Sequence, residues 1–212
     1  MPPGEYEGKA LVELLDDGRR VQLKVPFSYI DPRGRSWPVR EGAIVDGASI
    51  PRLLWTLIGG PFEGKYRNAS IIHDWYCDVR MRSWQDTHRM FFEAMLTSSV
   101  SAKMARLLYA GVYLGGPRWS KTVVENTRLV TKHVSPAKRE PNEHAAKGTY
   151  SRKRYTETTR KTVTHLVKYR VNDNDIDWLQ QLAEIKDLDV KGIERLVDER
   201  LEPRKPDVRK LK

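Results

Sequence analysis

The sequence predicts an α+β fold: a small antiparallel sheet, a cluster of three or four helices, then a basic linker and a C-terminal helical hairpin. Three observations predict it. In the first third of the chain apolar residues alternate with polar ones, the period of a half-buried strand. From Ser49 onward they recur every three or four residues, the period of a helix face. Between residues 132 and 160 the periodicity disappears while Lys, Arg, Pro and Gly accumulate.

Ala10 to Leu15 and Arg20 to Val25 flank the turn signal Asp16-Asp17-Gly18 and read as paired strands. Tyr29 to Gly34, containing Asp31-Pro32, is a second turn. Ser36 to Val39 reads as an edge strand, because Pro38 has no N–H to give a ladder. Gly42 to Val45 closes the sheet region.

Ser49, two residues before Pro51, is expected to cap a short helix that Gly59-Gly60-Pro61 ends. A second helix is expected from Asn68 to Arg80, with Ala69, Ile72, His73, Tyr76 and Cys77 on one stripe. A third begins near Ser83 or Trp84 and places His88, Phe91, Phe92 and Met95 on one face. A fourth is capped by Ser101 and presents Met104, Leu107, Leu108, Gly111 and Val112, while Gly111 and Gly115 allow another element close.

These elements make residues 1–131 one compact α+β domain. Residues 132–160 read as a basic linker and 161–212 as an attachment arm. The arm holds a strand-like run, Thr162 to Tyr169, and two helices, one capped by Asp175 and one by Asp189. A helical hairpin of about 30 residues is too small to stand alone. It should dock on the main domain, on another copy or on a partner.

The net charge of +10 is uneven: residues 132–170 carry +8 and residues 171–201 carry −5. An electrostatic partner belongs to that middle segment. With Cys77 as the single cysteine, no intramolecular disulfide staples the fold. The opening Met1-Pro2-Pro3-Gly4 lacks the basic start and apolar run of a secretion signal. The longest apolar-leaning stretch, Met104 to Leu114, is too short and interrupted to span a bilayer.

Reactive side chains concentrate in three clusters: Asp46 with Arg52, His73 with Asp74, and His88. Imidazole with carboxylate is a usual ligand set for a divalent metal and a usual acid–base pair. Successive helix positions point about 100 degrees apart, so His73 faces the cleft and Asp74 orients a neighbour. Arg52 would hold a carboxylate or phosphate there, or pair with Asp74. The competing reading makes the same residues a buried polar network. Cys77, on its apolar stripe, reads as core, and Ser49 as a cap without the elbow of a nucleophile.

Asp46-Gly47-Ala48-Ser49-Ile50-Pro51-Arg52, His73-Asp74-Trp75-Tyr76 and His88-Arg89-Met90-Phe91-Phe92-Glu93-Ala94-Met95 together resemble the domain-of-unknown-function family 1353 over roughly residues 20–116. The family typically has an acidic residue where this chain has His88. The exchange preserves a metal ligand and removes a carboxylate. The resemblance implies a setting in bacteriophages, prophages and bacteria, and no mechanism.

Two functional expectations follow. The first is a phage-encoded, virion-associated protein with a metal-dependent hydrolase-like site, acting on cell-wall peptide amides. Its ligands would be Asp46, His73 and His88, its catalytic groups His73, Asp74 and Arg52, and its ion zinc. The second is a non-catalytic phage structural or assembly protein. In it the arm, residues 132–212, docks on other virion or assembly proteins or makes non-specific nucleic-acid contact. Both place the chain in the host cytoplasm and then the virion, and neither involves a membrane.

Overall fold

Val21, Leu23, Phe27, Tyr29, Trp37 and Val39 are buried at alternate positions of the first third of the chain, whereas Leu11 and Leu14 of the first run are exposed. The computed structural model describes residues 4–46, 50–51, 55, 64–134 and 151–211. Within these, the alternation builds two small sheets rather than one. β1 (Glu5–Glu7), β4 (Phe27–Ile30) and β5 (Ser36–Val39) form one, in the order β1-β4-β5. β2 (Val12–Leu14), β3 (Val21–Leu23) and β6 (Ile44–Val45) form the other, in the order β2-β3-β6. All pairs are antiparallel, and β5 lies at an edge, as Pro38 requires.

The turn between β4 and β5 is organised by Asp31. Its carboxylate accepts from the backbone N–H groups of Arg33 and Arg35 at 3.0 Å each. It also accepts from Arg35 Nε at 2.8 Å and Trp37 Nε1 at 3.1 Å. This buried carboxylate is matched by donors on every side, which is what makes its burial tolerable.

Three helices follow: α1 (Arg67–Val79), α2 (Trp84–Thr97) and α3 (Ala102–Gly115). The α1 stripe Ala69, Ile72, His73, Tyr76 and Cys77 is buried throughout, and Ile71 and Asp74 are buried beside it. Ser83 and Ser101 cap α2 and α3 by accepting from the N–H groups of Asp86 and Met104. Gly115, at the end of α3, sits against Val171 so closely that a Cβ would collide with it. The short helix expected after Ser49 lies largely outside the described residues, as do Ser49 and Arg52.

The expected attachment arm is not a separate body. α4 (Asp173–Glu184) and α5 (Val190–Leu201) belong to the same unit as residues 1–120 and pack on α3. Leu179, Leu182, Ile193 and Val197 are buried in the common core. The physical reason is the one that forbade an isolated hairpin: its apolar face is too small to fold without a surface to cover. Asp189 caps α5 as expected, but the cap of α4 is Asn172. Asp175 is the return partner of that capping box, and it also accepts from Arg200 Nε at 2.8 Å.

The second unit, residues 121–164 with 210–212, holds most of two long strands, β7 (Arg118–Val134) and β8 (Ser151–Lys168). With β9 (Asp207–Leu211) they form a sheet in the order β7-β8-β9. The expected linker is therefore strand at 132–134 and 151–160, and its centre, 135–150, lies outside the described residues. Threonine and valine give these segments strand propensity. Where burial is described, at 154–160, both faces meet solvent, so the segment carries no apolar alternation to read. Among the described residues no helix is long and apolar enough to cross a membrane.

Candidate metal centre

His73 and Cys77 are four residues apart in α1, one turn on the same face, so their side chains are neighbours by helix geometry alone. α2 brings His88 to them. His73 Nε2 lies 2.8 Å from His88 Nδ1 and 3.6 Å from Cys77 Sγ. One donor atom from each of the three residues falls within 4.8 Å of the others. Among the described residues, this is the set of His, Cys, Asp and Glu groups close enough to hold a metal ion.

The surroundings are aromatic. Both imidazoles are fully buried, with the Phe91 ring 4.6 Å from His73 and the Trp84 ring 5.6 Å from His88. Burial disfavours the imidazolium and pushes His73 down to about 3. His88 is held well below its ordinary value by burial first, then by His73 and Arg118, with the Pro117 carbonyl opposing. Both rings are neutral at pH 7, the form a metal requires. His73 Nδ1 is buried without a hydrogen-bond partner. Such a group costs about 1–3 kcal/mol, so the pair is an expensive way to fill a core.

A cleft of about 280 Å³ opens beside α1, and of the three donors Cys77 lines it while the two imidazoles lie behind its wall. Asp46, Asp74 and Asp78 line it, as do the cations Arg20, Arg80 and Lys168. Asp74 Oδ2 accepts the backbone N–H of Asp46 at 2.8 Å, joining the buried helix to the end of β6. The Asp46 carboxylate takes Arg19 at 3.2 Å.

The cluster that could hold a metal thus has a different membership from the expected set. His73 and His88 are together. Asp46 lines the cleft and is outside the set, because its carboxylate turns to Arg19. Asp74 is a positioning carboxylate, bonded to the loop that follows β6. Arg52 lies outside the described residues. Cys77, read as core, is buried as expected, and its Sγ also lies close enough to both imidazoles to serve as a third donor. The i, i+4 spacing of His73 and Cys77 was the available signal. A buried apolar stripe looks the same whether a facing helix supplies an imidazole or a methyl group.

Tetrahedral zinc, with bonds of about 2.0–2.1 Å to nitrogen and about 2.3 Å to sulfur, sets its ligands about 3.3 Å (N to N) and about 3.6 Å (N to S) apart. The His73–Cys77 separation of 3.6 Å fits directly. The 2.8 Å between the imidazoles is a hydrogen bond and opens by about 0.5 Å to admit an ion.

Residues 21–112 match the model of a family described as "Protein of unknown function (DUF1353)". All three donors lie inside that segment. Two curated relatives from Sinorhizobium fredii (strain NBRC 101917 / NGR234) are similar to the chain. Uncharacterized protein y4iH is 43% identical over 113 residues, 53% of this chain and 47% of its own length. Uncharacterized protein y4jT is 46% identical over 99 residues, 47% of this chain and 30% of its own. The chain thus spans less than half the length of either relative. No solved structure matches it.

Proposed function

We propose that the DUF1353 segment of this chain is a metal-dependent, hydrolase-like domain whose zinc-class ion is held by His73 Nε2, Cys77 Sγ and His88 Nδ1. The observation that carries this reading is the convergence of those three buried donors, of which Cys77 reaches the wall of a polar cleft. Three protein ligands, with the fourth position left to water or substrate, is the pattern of catalytic zinc. When bound, the ion would acidify that water and polarise an amide or ester carbonyl. The chain's own residues would do the rest. Asp74 fixes the start of the loop after β6, and the carboxylates of the cleft are placed to receive a proton. Arg20, Arg80 and Lys168 offer anchors for an anionic part of the substrate. The choice of cell-wall peptide as substrate, and the virion setting, rest on the resemblance to phage proteins.

A second reading is a non-catalytic phage structural or assembly protein. What favours it is the 2.8 Å hydrogen bond between two fully buried imidazoles, which already joins α1 to α2. Elemental analysis of the purified full chain separates the two. The first reading expects one equivalent of transition metal, lost in His73→Ala, Cys77→Ser and His88→Ala. With cobalt it also expects a thiolate charge-transfer band absent from Cys77→Ser. A wild-type chain that takes up neither zinc nor cobalt leaves the structural reading.

A further inference from the structure

The ribbon of the second unit has a charge unlike the rest of the chain. Its strand segments, 121–134 and 151–164, carry eight Lys and Arg against two Glu, a net of +6. Contacts across it pair Glu125 with Arg160, Thr127 with Thr158 and Arg128 with Glu157. In an antiparallel pair, opposed residues share a face and successive residues alternate between faces. Lys121, Arg154 and Arg160 therefore share one face with Glu125, while Arg128 and Lys161 share the other with Glu157. Both faces are cationic. Residues 121–129 and 154–162 are exposed without exception.

We propose that this ribbon binds double-stranded nucleic acid through its phosphates, without reading sequence. β9 spans only five residues, so most of β7 and β8 have only each other as sheet partners. A two-stranded ribbon with no covered face is marginal in water, so it gains stability from a partner. That partner must answer positive charge on both faces. The two phosphate rows of a groove do so, whereas an acidic protein surface covers one face, and a second copy of the ribbon is repelled. The dimensions agree: 14 residues at about 3.3 Å each extend about 45 Å, more than one turn of duplex. A two-stranded β-ribbon also fits the major groove. Threonine hydroxyls along both strands, Thr127 and Thr158 among them, supply further donors to phosphate. Exposed Val123 and Leu129 offer apolar contact to base edges or sugars. The proposal is independent of the metal centre.

The test is fluorescence anisotropy of the full chain with a labelled random-sequence duplex of about one ribbon length plus flanks. Binding should weaken by roughly 10³-fold between 50 and 200 mM salt, as expected for about six phosphate contacts. The combined variant Lys121→Glu, Arg154→Glu, Lys161→Glu should lose at least about 100-fold affinity at low salt with an unchanged melting temperature, since all three residues are exposed. If that variant melts early, the three single reversals carry the test, each reducing both affinity and salt slope. No duplex binding at 50 mM salt, affinity untouched by the reversals, equal affinity for polyglutamate, or a ribbon-mediated dimer in sedimentation would each overturn the proposal.

Discussion

Tyr109 donates its hydroxyl hydrogen to Glu194 Oε1 at 2.6 Å, a bond between α3 and α5 that spans 85 positions of sequence. Arg89 of α2 grips the same carboxylate with Nε at 2.6 Å and a second nitrogen at 2.7 Å. One acidic side chain thus ties α2 and α3 to α5. Glu194→Ala would leave the fully buried Tyr109 hydroxyl and the Arg89 guanidinium without their acceptor. Loss of about 3 kcal/mol of stability is expected in urea unfolding. A loss below about 1 kcal/mol would show the triad to be incidental.

The same packing predicts the outcome of truncation. Ending the chain near residue 131 removes Leu179, Leu182, Ile193, Val197 and Leu201 from the core. It also exposes the α3 face that they cover. Each lost side chain forfeits roughly 1.5–3 kcal/mol of burial, more in sum than a domain's usual margin. The truncated chain should show no cooperative melting transition. A sharp transition near the full-length temperature would mean that α4 and α5 are dispensable.

The buried histidines predict an acid-sensitive fold. In the unfolded chain His73 and His88 titrate near 6.5, whereas in the folded chain both are depressed, His73 to about 3. The unfolded state therefore binds more protons between those values. Stability from their neutral burial is fully present above pH 6.5 and is lost as pH falls toward 3. The slope approaches about 1.4 kcal/mol per pH unit for each histidine. Urea midpoints at pH 7, 6 and 5 should fall accordingly, and His73→Leu should flatten the dependence by about half. A bound metal acts in the same direction, because protons displace it.

Cys77 predicts a protection experiment. Its side chain is almost wholly buried, yet it reaches the cleft wall. A thiol reagent should modify the metal-free protein slowly. Stoichiometric zinc should slow the reaction by at least about tenfold by occupying the sulfur, and a chelator should reverse the effect. Equal rates with and without zinc would remove Cys77 from the ligand set.

Asp31 predicts a large cost from a short side chain. Its carboxylate satisfies Trp37, Arg35 and two backbone N–H groups. Asp31→Ala should destabilise the domain by about 3 kcal/mol, since it leaves the buried Trp37 Nε1 and the turn donors without an acceptor. Asp31→Asn should cost less, because one oxygen remains. Thermal melts of the two variants should separate clearly.

Much of this was legible in the sequence, for identifiable reasons. Ser83, Ser101 and Asp189 cap helices as their side chains allow, because capping is local. Pro38 lies on an edge strand because a missing N–H cannot be hidden elsewhere. What escaped depends on distance in sequence. The pairing of His73 with His88 was expected, but nothing near Cys77 separates a sulfur that meets them from one that only fills the core. Asp175 sits where a cap could be, but Asn172 takes that place and frees it for Arg200. The ribbon escaped because amphipathic alternation records burial on one side, and the ribbon is covered on neither.

The unit that holds the His73–Cys77–His88 cluster is assembled from two stretches of chain, 1–120 and 165–209, with the ribbon between them in sequence. During synthesis, then, Leu107, Leu108 and Val112 on α3 emerge long before the helices that will cover them. From the end of α3 at Gly115 to the end of α5 at Leu201, at 5–20 residues per second, the wait is roughly 4 to 17 s. For that interval the nascent chain presents a bare apolar surface, so its yield in a cell should depend on chaperone capacity and on slow translation more than its finished stability would suggest.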